Sequence, residues 1–146
     1  MRMPFQTSLL AALMLGLFAL ATLAPQPLRA DGAADAAIEQ VIADQIAAFQ
    51  RDDMAAAFAH AAPGIQSKFG SPENFGRMVR QGYPMIYRPS RVEWRGLTRH
   101  GSGYRKTVLF EDGVGALFEA DYIMALEDGA WRIRGVFLRK LPGMTS

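Results

Sequence analysis

The sequence predicts an α+β fold in which N-terminal helices pack on a four-stranded antiparallel meander. Two observations support this prediction. Up to Pro89 the apolar residues recur at helical spacing, and after Pro89 they alternate with a period of two. Short turn sequences then divide the second half of the chain into four segments of strand length. Helices followed by a run of strands are typical of α+β domains with the helices on one face of the sheet.

Two helices are expected in the first part of the domain. The second of them is short, is capped by Asp52 or Asp53, and ends at Pro63-Gly64. The first covers about residues 34–51, because apolar residues form one stripe along it. The members of this stripe are Ile38, Val41, Ile42, Ile46 and Phe49.

A third helix is expected to begin at Ser71-Pro72-Glu73 and to end at Gly82. Serine at the cap, proline in the first turn and an early carboxylate each favour a helix start. The strands follow near residues 91–99, 104–111, 115–126 and 131–141, separated by turns at Gly101–Gly103, Asp112-Gly113 and Asp128-Gly129.

Residues 1–30 have the pattern of a secretory signal peptide. Arg2 precedes the apolar run Leu9–Ala24, which is shorter than the roughly 20 residues that a spanning helix needs, and prolines follow it. We expect cleavage after Ala30, which leaves residues 31–146 as one α+β domain without a membrane span. The expected location is periplasmic or secreted, and an uncleaved membrane anchor is the alternative.

The charge balance and the missing motifs exclude several classes of function. The chain has 16 Lys+Arg and 14 Asp+Glu, and loss of Arg2 and Arg29 with the signal leaves no net charge, so we expect no nucleic-acid partner. The absence of cysteine excludes disulfides, thiol catalysis and a lipoprotein anchor. His60 and His100 have no metal-ligand spacing, and there is no phosphate-binding or hydrolase motif. No catalytic residue, metal or cofactor is therefore predicted.

The hairpin turns predict the register of the sheet. A two-residue Asp128-Gly129 turn pairs Met124 with Ile133 and Ala120 with Phe137. Phe137 is therefore expected on the inner face of the sheet, beneath the helices.

The same register places one cation, Lys106, on the inner face. Its expected cross-strand neighbours are Gly96 and Ala120, and Tyr104 and Tyr122 lie nearby on the same side. Burial of an unpaired ammonium is costly. Either Lys106 extends to water at the rim of the sheet, or it faces a pocket in which an anionic ligand is its partner.

The opposite, outer face is expected to carry both charged and apolar side chains. Arg105 should face Asp121, and Thr107 should face Glu119. The number of apolar positions suggests that a second copy covers this face in a homodimer. These positions are Leu97, Leu109, Leu117, Ile123, Val136 and Leu138.

The stretch FGSPENFGRMVRQGYPMIYRP at Phe69–Pro89 resembles an uncharacterised bacterial family, the domain-of-unknown-function family numbered 4864. Asp44–Phe49 and Ala62–Gln66 also look like that family, and the similarity covers nearly the whole mature chain. Three helices followed by a curved meander are similar to the nuclear-transport-factor-two-like cone. The resemblance implies a fold that hosts isomerases, dehydratases, ligand binders and interaction modules. Enzymes of that fold use an Asp/His or Asp/Tyr pair in the cone, and no such pair is matched here.

We therefore expect an exported, non-enzymatic domain that binds a small molecule or a protein partner in a cone-shaped pocket. The alternatives are a small isomerase or hydrolase that uses a pocket carboxylate, and a structural homodimer without a ligand. A buried carboxylate beside a tyrosine would favour the enzyme, and an apolar pocket would favour binding. The residues expected at the pocket are Lys106, Tyr104, Tyr122, Tyr83, Tyr87 and Arg80.

Overall fold

The computed structural model of the protein describes residues 27–143, which form an N-terminal group of helices and one antiparallel sheet. The helices are α1 (Pro27–Gln50), α2 (Met54–Ala59), α3 (Pro63–Phe69), α4 (Pro72–Gly82) and α5 (Pro84–Tyr87). The strands are β1 (Arg91–His100), β2 (Gly103–Glu111), β3 (Leu117–Glu127) and β4 (Ala130–Lys140), in the spatial order β1-β2-β3-β4. The predicted α+β class is confirmed.

Helix α1 is longer than predicted, because it begins at Pro27 instead of near residue 34. Proline is well tolerated in the first helical turn, and the single Gly32 costs only about 1 kcal/mol, so no residue between 27 and 34 stops the helix. The bond after Ala30, where cleavage is expected, therefore lies inside α1. The preceding part of the expected signal, residues 1–26, lies outside the described residues.

The helical region contains two helices that the sequence did not predict, α3 and the four-residue α5. Pro63-Gly64 begins α3, because proline fits its first turn, and the expectation that this pair ends a helix was wrong. The side chain of Gln66 attaches α3 to the preceding segment by donating to the carbonyls of Phe58 and Ala61, at 3.2 and 3.0 Å.

The two predicted caps are present. The Asp53 carboxylate accepts from the amide of Ala56 at 3.0 Å and caps α2. The hydroxyl of Ser71 accepts from the amide of Asn74 at 3.2 Å and caps α4, as predicted.

The register around Lys106 differs from the prediction on both sides. A bulge in β1 places Leu97, not Gly96, opposite Lys106. The β2–β3 connection extends over residues 112–116, so Tyr122, not Ala120, lies opposite Lys106 on β3. The Asp112 carboxylate stabilises this longer loop by accepting from two of its backbone amides. Because the β2–β3 pairing shifts by two residues, Lys106 stays on the inner face.

The β3–β4 hairpin follows the predicted register only near its turn. Met124 lies opposite Ile133 as expected, but a bulge at Arg134 shifts the pairing beyond this point, so Ala120 lies opposite Leu138. One extra residue in a strand moves every following side chain to the opposite face of the sheet. Phe137 is therefore on the outer face with 67% of its surface exposed, and its prediction as an inner residue was wrong.

The outer face is more polar than predicted. Leu97, Val136 and Leu138 pack against the core instead, because of the bulges in β1 and β4. Arg105 lies opposite Ile123 and not Asp121, and Thr107 lies opposite Asp121 and not Glu119. The charged pairing predicted for this face therefore had the wrong register.

The core lies between α1 and the inner face of the sheet. Four residues of the predicted α1 stripe are buried, and each contributes roughly 1.5–3 kcal/mol by leaving water. They are Ile38, Ile42, Ile46 and Phe49, and they face Val108, Phe110, Ala120 and Met124 of the sheet. Within residues 27–143, no helix combines the length and the apolar character that a membrane crossing requires.

Candidate functional site

A cavity of about 460 Å³ lies between the helices and the edge strand β4, and it opens to solvent. Its walls come from α1, α3, α4 and α5 on one side and from β3 and β4 on the other. Most of the lining side chains are apolar, including Phe49, Ile65, Phe69, Phe75, Met78, Val79, Ile86, Ile133, Val136 and Phe137.

A cluster of contacting aromatic rings stiffens the helical wall of this cavity. Phe75 of α4 is central, because its ring centroid lies 6.0 Å from that of Phe49, 5.2 Å from that of Phe58 and 5.9 Å from that of Phe69. Such aromatic contacts stabilise by about 0.5–1.5 kcal/mol each beyond the burial of their surface. The wall is thus held in shape by packing that does not require a ligand.

Tyr122 belongs to the cavity lining and is the predicted site residue with the most unusual environment. It lies on the inner face of β3 and is fully buried. Within residues 27–143 its hydroxyl has no hydrogen-bond partner. Burial raises the pKa of this phenol far above its usual value, so the group is neutral and can donate a hydrogen bond.

Lys106 is buried, but it is neither exposed at the rim nor unpaired. Its Nζ donates to Asp35 Oδ1 at 2.7 Å and to Glu39 Oε1 at 2.6 Å, and its side chain is 1% exposed. The two carboxylates lie one turn apart on the same side of α1. Both interpretations of Lys106 assumed that its own chain offers no partner, and this assumption was wrong. Lys106 does not belong to the cavity lining.

Tyr104, like Lys106, lies on β2 and pairs with an acidic residue of α1. Its hydroxyl donates to Asp31 Oδ1 at 2.5 Å, and the guanidinium of Arg99 contacts the same oxygen at 2.8 Å. The hydrogen bond from Tyr104, followed by the charge of Arg99, lowers the pKa of Asp31. We call this row of contacts, formed by Asp31, Asp35 and Glu39 with Tyr104 and Lys106, the α1–β2 ionic seam.

The remaining predicted residues divide between two places. Tyr83 lines the cavity. Tyr87 and Arg80 lie outside the lining, around the carboxylate of Asp52, which accepts from the Tyr87 hydroxyl and lies 4.0 Å from Arg80. Arg88 completes this group at 3.2 Å from Asp52. The structure therefore brings Tyr122 and Tyr83 to one cavity and places the other four predicted residues elsewhere.

Three polar residues of the lining were missed by the sequence analysis. Gln45 is buried and uses its amide to donate to the carbonyl of Ala57 at 3.1 Å. Lys68 and Arg134 are exposed and contribute the positive charge of the lining. Lys68 belongs to the unpredicted helix α3, and Arg134 occupies the unpredicted bulge. No sequence pattern identified either position. In contrast, the acids of the ionic seam recur every four residues along α1, at Asp31, Asp35 and Glu39, which is a pattern that the sequence shows.

The described part of the lining contains no aspartate, glutamate or histidine. Within residues 27–143 there is also no group of three or more residues suited to hold a metal ion. The arrangement is suited to enclosing an apolar group and to offering neutral donors and two cations to the polar atoms of a bound molecule.

The fold and the cavity define a small α+β domain with helices on one face of a single antiparallel sheet. The family described as Domain of unknown function (DUF4864) matches residues 31–146, and the chain belongs to this family. No curated protein and no solved structure matches the chain. The family resemblance carried by Phe69–Pro89 is thus confirmed, and the likeness to the nuclear-transport-factor-two-like cone stays a prediction.

Proposed function

We propose that the protein is an exported, non-enzymatic binding domain whose cavity beside β4 holds a small, mainly apolar molecule. The cavity volume of about 460 Å³ supports this proposal. Ligand sites commonly enclose roughly 300–1,000 Å³ and combine apolar walls with a few polar groups.

The observation that carries the proposal is that Tyr122, a residue of the cavity lining, has a buried hydroxyl without a partner among residues 27–143. A buried polar group without a partner costs about 1–3 kcal/mol, and native proteins contain few of them. An acceptor atom on a bound molecule would remove this cost.

A binding role fits the cavity better than the enzyme alternative does. General acid–base catalysis needs a titrating group next to the substrate, and the described lining holds no carboxylate or imidazole. The raised pKa of Tyr122 also makes it a poor base at neutral pH. The carboxylates that contact tyrosines, Asp31 and Asp52, lie outside the lining.

Native mass spectrometry of the protein purified from the cells that produce it tests this proposal. We expect a bound small molecule in the spectrum of the wild type. Met78→Trp, which fills the cavity, should abolish the bound mass. Tyr104→Phe is the control, because it changes a buried side chain outside the cavity lining, and it should retain the bound mass. A ligand-free wild type that also fails to bind added apolar compounds would overturn the proposal.

Export is part of the proposal, and the family match supports it by beginning at Asp31, directly after the expected cleavage site. Because the bond after Ala30 lies inside α1 in the folded domain, cleavage must precede the folding of this helix. N-terminal sequencing of the protein from separated cell fractions should find Asp31 first, outside the cytoplasm. An intact Met1 form that stays with the membrane would support the anchor instead.

A homodimer formed through the outer sheet face is the second candidate. The exposed ring of Phe137 favours it, because a large apolar side chain on an edge strand is a common contact point between proteins. This candidate is compatible with ligand binding, because Phe137 lies beside the cavity and on the outer face. A protein partner other than a second copy would use the same surface.

A further inference from the structure

The charge distribution around the cavity of the proposed binding site restricts what it can hold. Lys68 and Arg134 are the charged side chains of the described lining, and both are positive. Both are exposed, so they lie where the cavity meets solvent, and they come from α3 and from the bulge of β4. The mouth of the cavity is therefore cationic, and its interior is apolar.

The two cations are not equally neutralised. Arg134 donates to Glu127 at 2.8 Å, and Glu127 does not belong to the lining. Lys68 lies 5.7 Å from the ring centroid of Phe69, and among the described residues no carboxylate is within 4.0 Å of its Nζ. One acid thus faces two cations, so a net positive charge remains at the mouth. A charge at the entrance of a low-dielectric cleft attracts ligands of the opposite sign.

We infer that the ligand is an anionic amphiphile. Its mainly apolar body, which carries one acceptor for the Tyr122 hydroxyl, is seated among Phe49, Phe69 and Phe75. A carboxylate or a similar head group lies at Lys68 and Arg134. This inference rests on the proposed function and names its ligand class. A head group inside the cavity is disfavoured, because a buried anion needs a charged partner and the interior offers only the neutral polar groups of Tyr122, Tyr83 and Gln45. A cationic amphiphile would meet two positive charges and no acid in the described lining.

Three probes with the same alkyl chain test the head group. Decanoate, decanol and decyltrimethylammonium differ in charge and share the apolar body. Isothermal titration calorimetry of the wild type should show decanoate binding about tenfold more tightly than decanol, with no binding of the cation. Added salt should weaken decanoate binding and leave decanol unchanged, because screening acts only on the charged head.

The matched variants are Lys68→Gln and Lys140→Gln. Both remove an exposed lysine that lies against a phenylalanine ring, since Lys140 Nζ is 5.9 Å from the centroid of Phe118, but Lys140 is outside the cavity lining. Lys68→Gln should weaken decanoate binding roughly two- to fivefold and not affect decanol binding, because a partly exposed ion pair contributes up to about 1 kcal/mol. Lys140→Gln should change neither.

The outcomes separate the inference from the function on which it rests. If decanol binds as tightly as decanoate and Lys68→Gln has no effect on either, the cavity is a binding site but the anionic head group is wrong. If none of the probes binds and the protein isolated from cells is ligand-free, the proposed function itself fails.

Discussion

The ammonium of Lys106 on β2 and the carboxylate of Glu39 on α1 form a hydrogen bond of 2.6 Å, and the lysine is almost completely excluded from water. Asp35 completes the site from the preceding turn of α1. The two carboxylates keep about a third of their surfaces exposed, at 36% and 31%. Without the two carboxylates the ammonium would be buried and unpaired, whereas without the ammonium the carboxylates could still be hydrated.

This asymmetry predicts an order of stabilities. Asp35→Asn combined with Glu39→Gln leaves a buried ammonium without a charge partner and should cost about 3–5 kcal/mol of unfolding free energy. Lys106→Met should cost less, about 1 kcal/mol, because both acids can hydrate and the methionine fills the space. Urea denaturation of the three proteins measures the order. A Lys106→Met variant less stable than the double variant would contradict this account.

The contact of Asp31 with Tyr104 and Arg99 predicts a pH dependence. The lowered pKa of Asp31 means that its contribution to stability is present above the usual value of 3.8 and is lost as the pH falls through the folded-state pKa. Tyr104→Phe should therefore lower the melting temperature at neutral pH, and its difference from the wild type should shrink as the solution is acidified below 3.8. A difference that is independent of pH would show that Tyr104 acts through packing alone.

Tyr122→Phe should have the opposite effect on stability from Tyr104→Phe. It removes a buried hydroxyl that has no partner within residues 27–143, so the ligand-free protein should gain about 1 kcal/mol. Ligand binding should weaken in the same variant, because the donor is lost. Thermal melts and calorimetry of both variants test the pair of effects. A destabilised, ligand-free Tyr122→Phe variant would indicate that the hydroxyl has a partner in solution.

Phe137→Lys should disrupt the proposed homodimer and leave the fold intact. The ring is 67% exposed, so its replacement removes little core packing, and a charge on the edge strand opposes association. Light scattering at micromolar concentration should show a dimeric wild type and a monomeric variant. The control is Leu126→Lys, which changes another exposed apolar residue of the same sheet. A monomeric wild type would eliminate this interface.

Local sequence patterns were sufficient for the fold class, the order of the four strands and the start of α4. The serine cap and the first-turn proline of α4 act on the backbone within a few residues, so their effect can be read directly from Ser71-Pro72-Glu73. The two-residue turn at Asp128-Gly129 similarly determined the pairing of Met124 with Ile133. The placement of Lys106 on the inner face also followed from the alternation of side chains along β2. A shift of the β2–β3 pairing by two residues does not change that face.

Tertiary structure alone decided the register beyond the bulges and the partners of the buried groups. The bulge at Arg134 turns Val136 inward and Phe137 outward, and no local propensity distinguishes these two arrangements of alternating apolar residues. Lys106 meets Asp35 across 71 positions of sequence, so their pairing exists only when α1 packs on the sheet. The cavity has the same origin: its cations and its unpartnered tyrosine come from separate elements, which are brought together by burial of the shared apolar core.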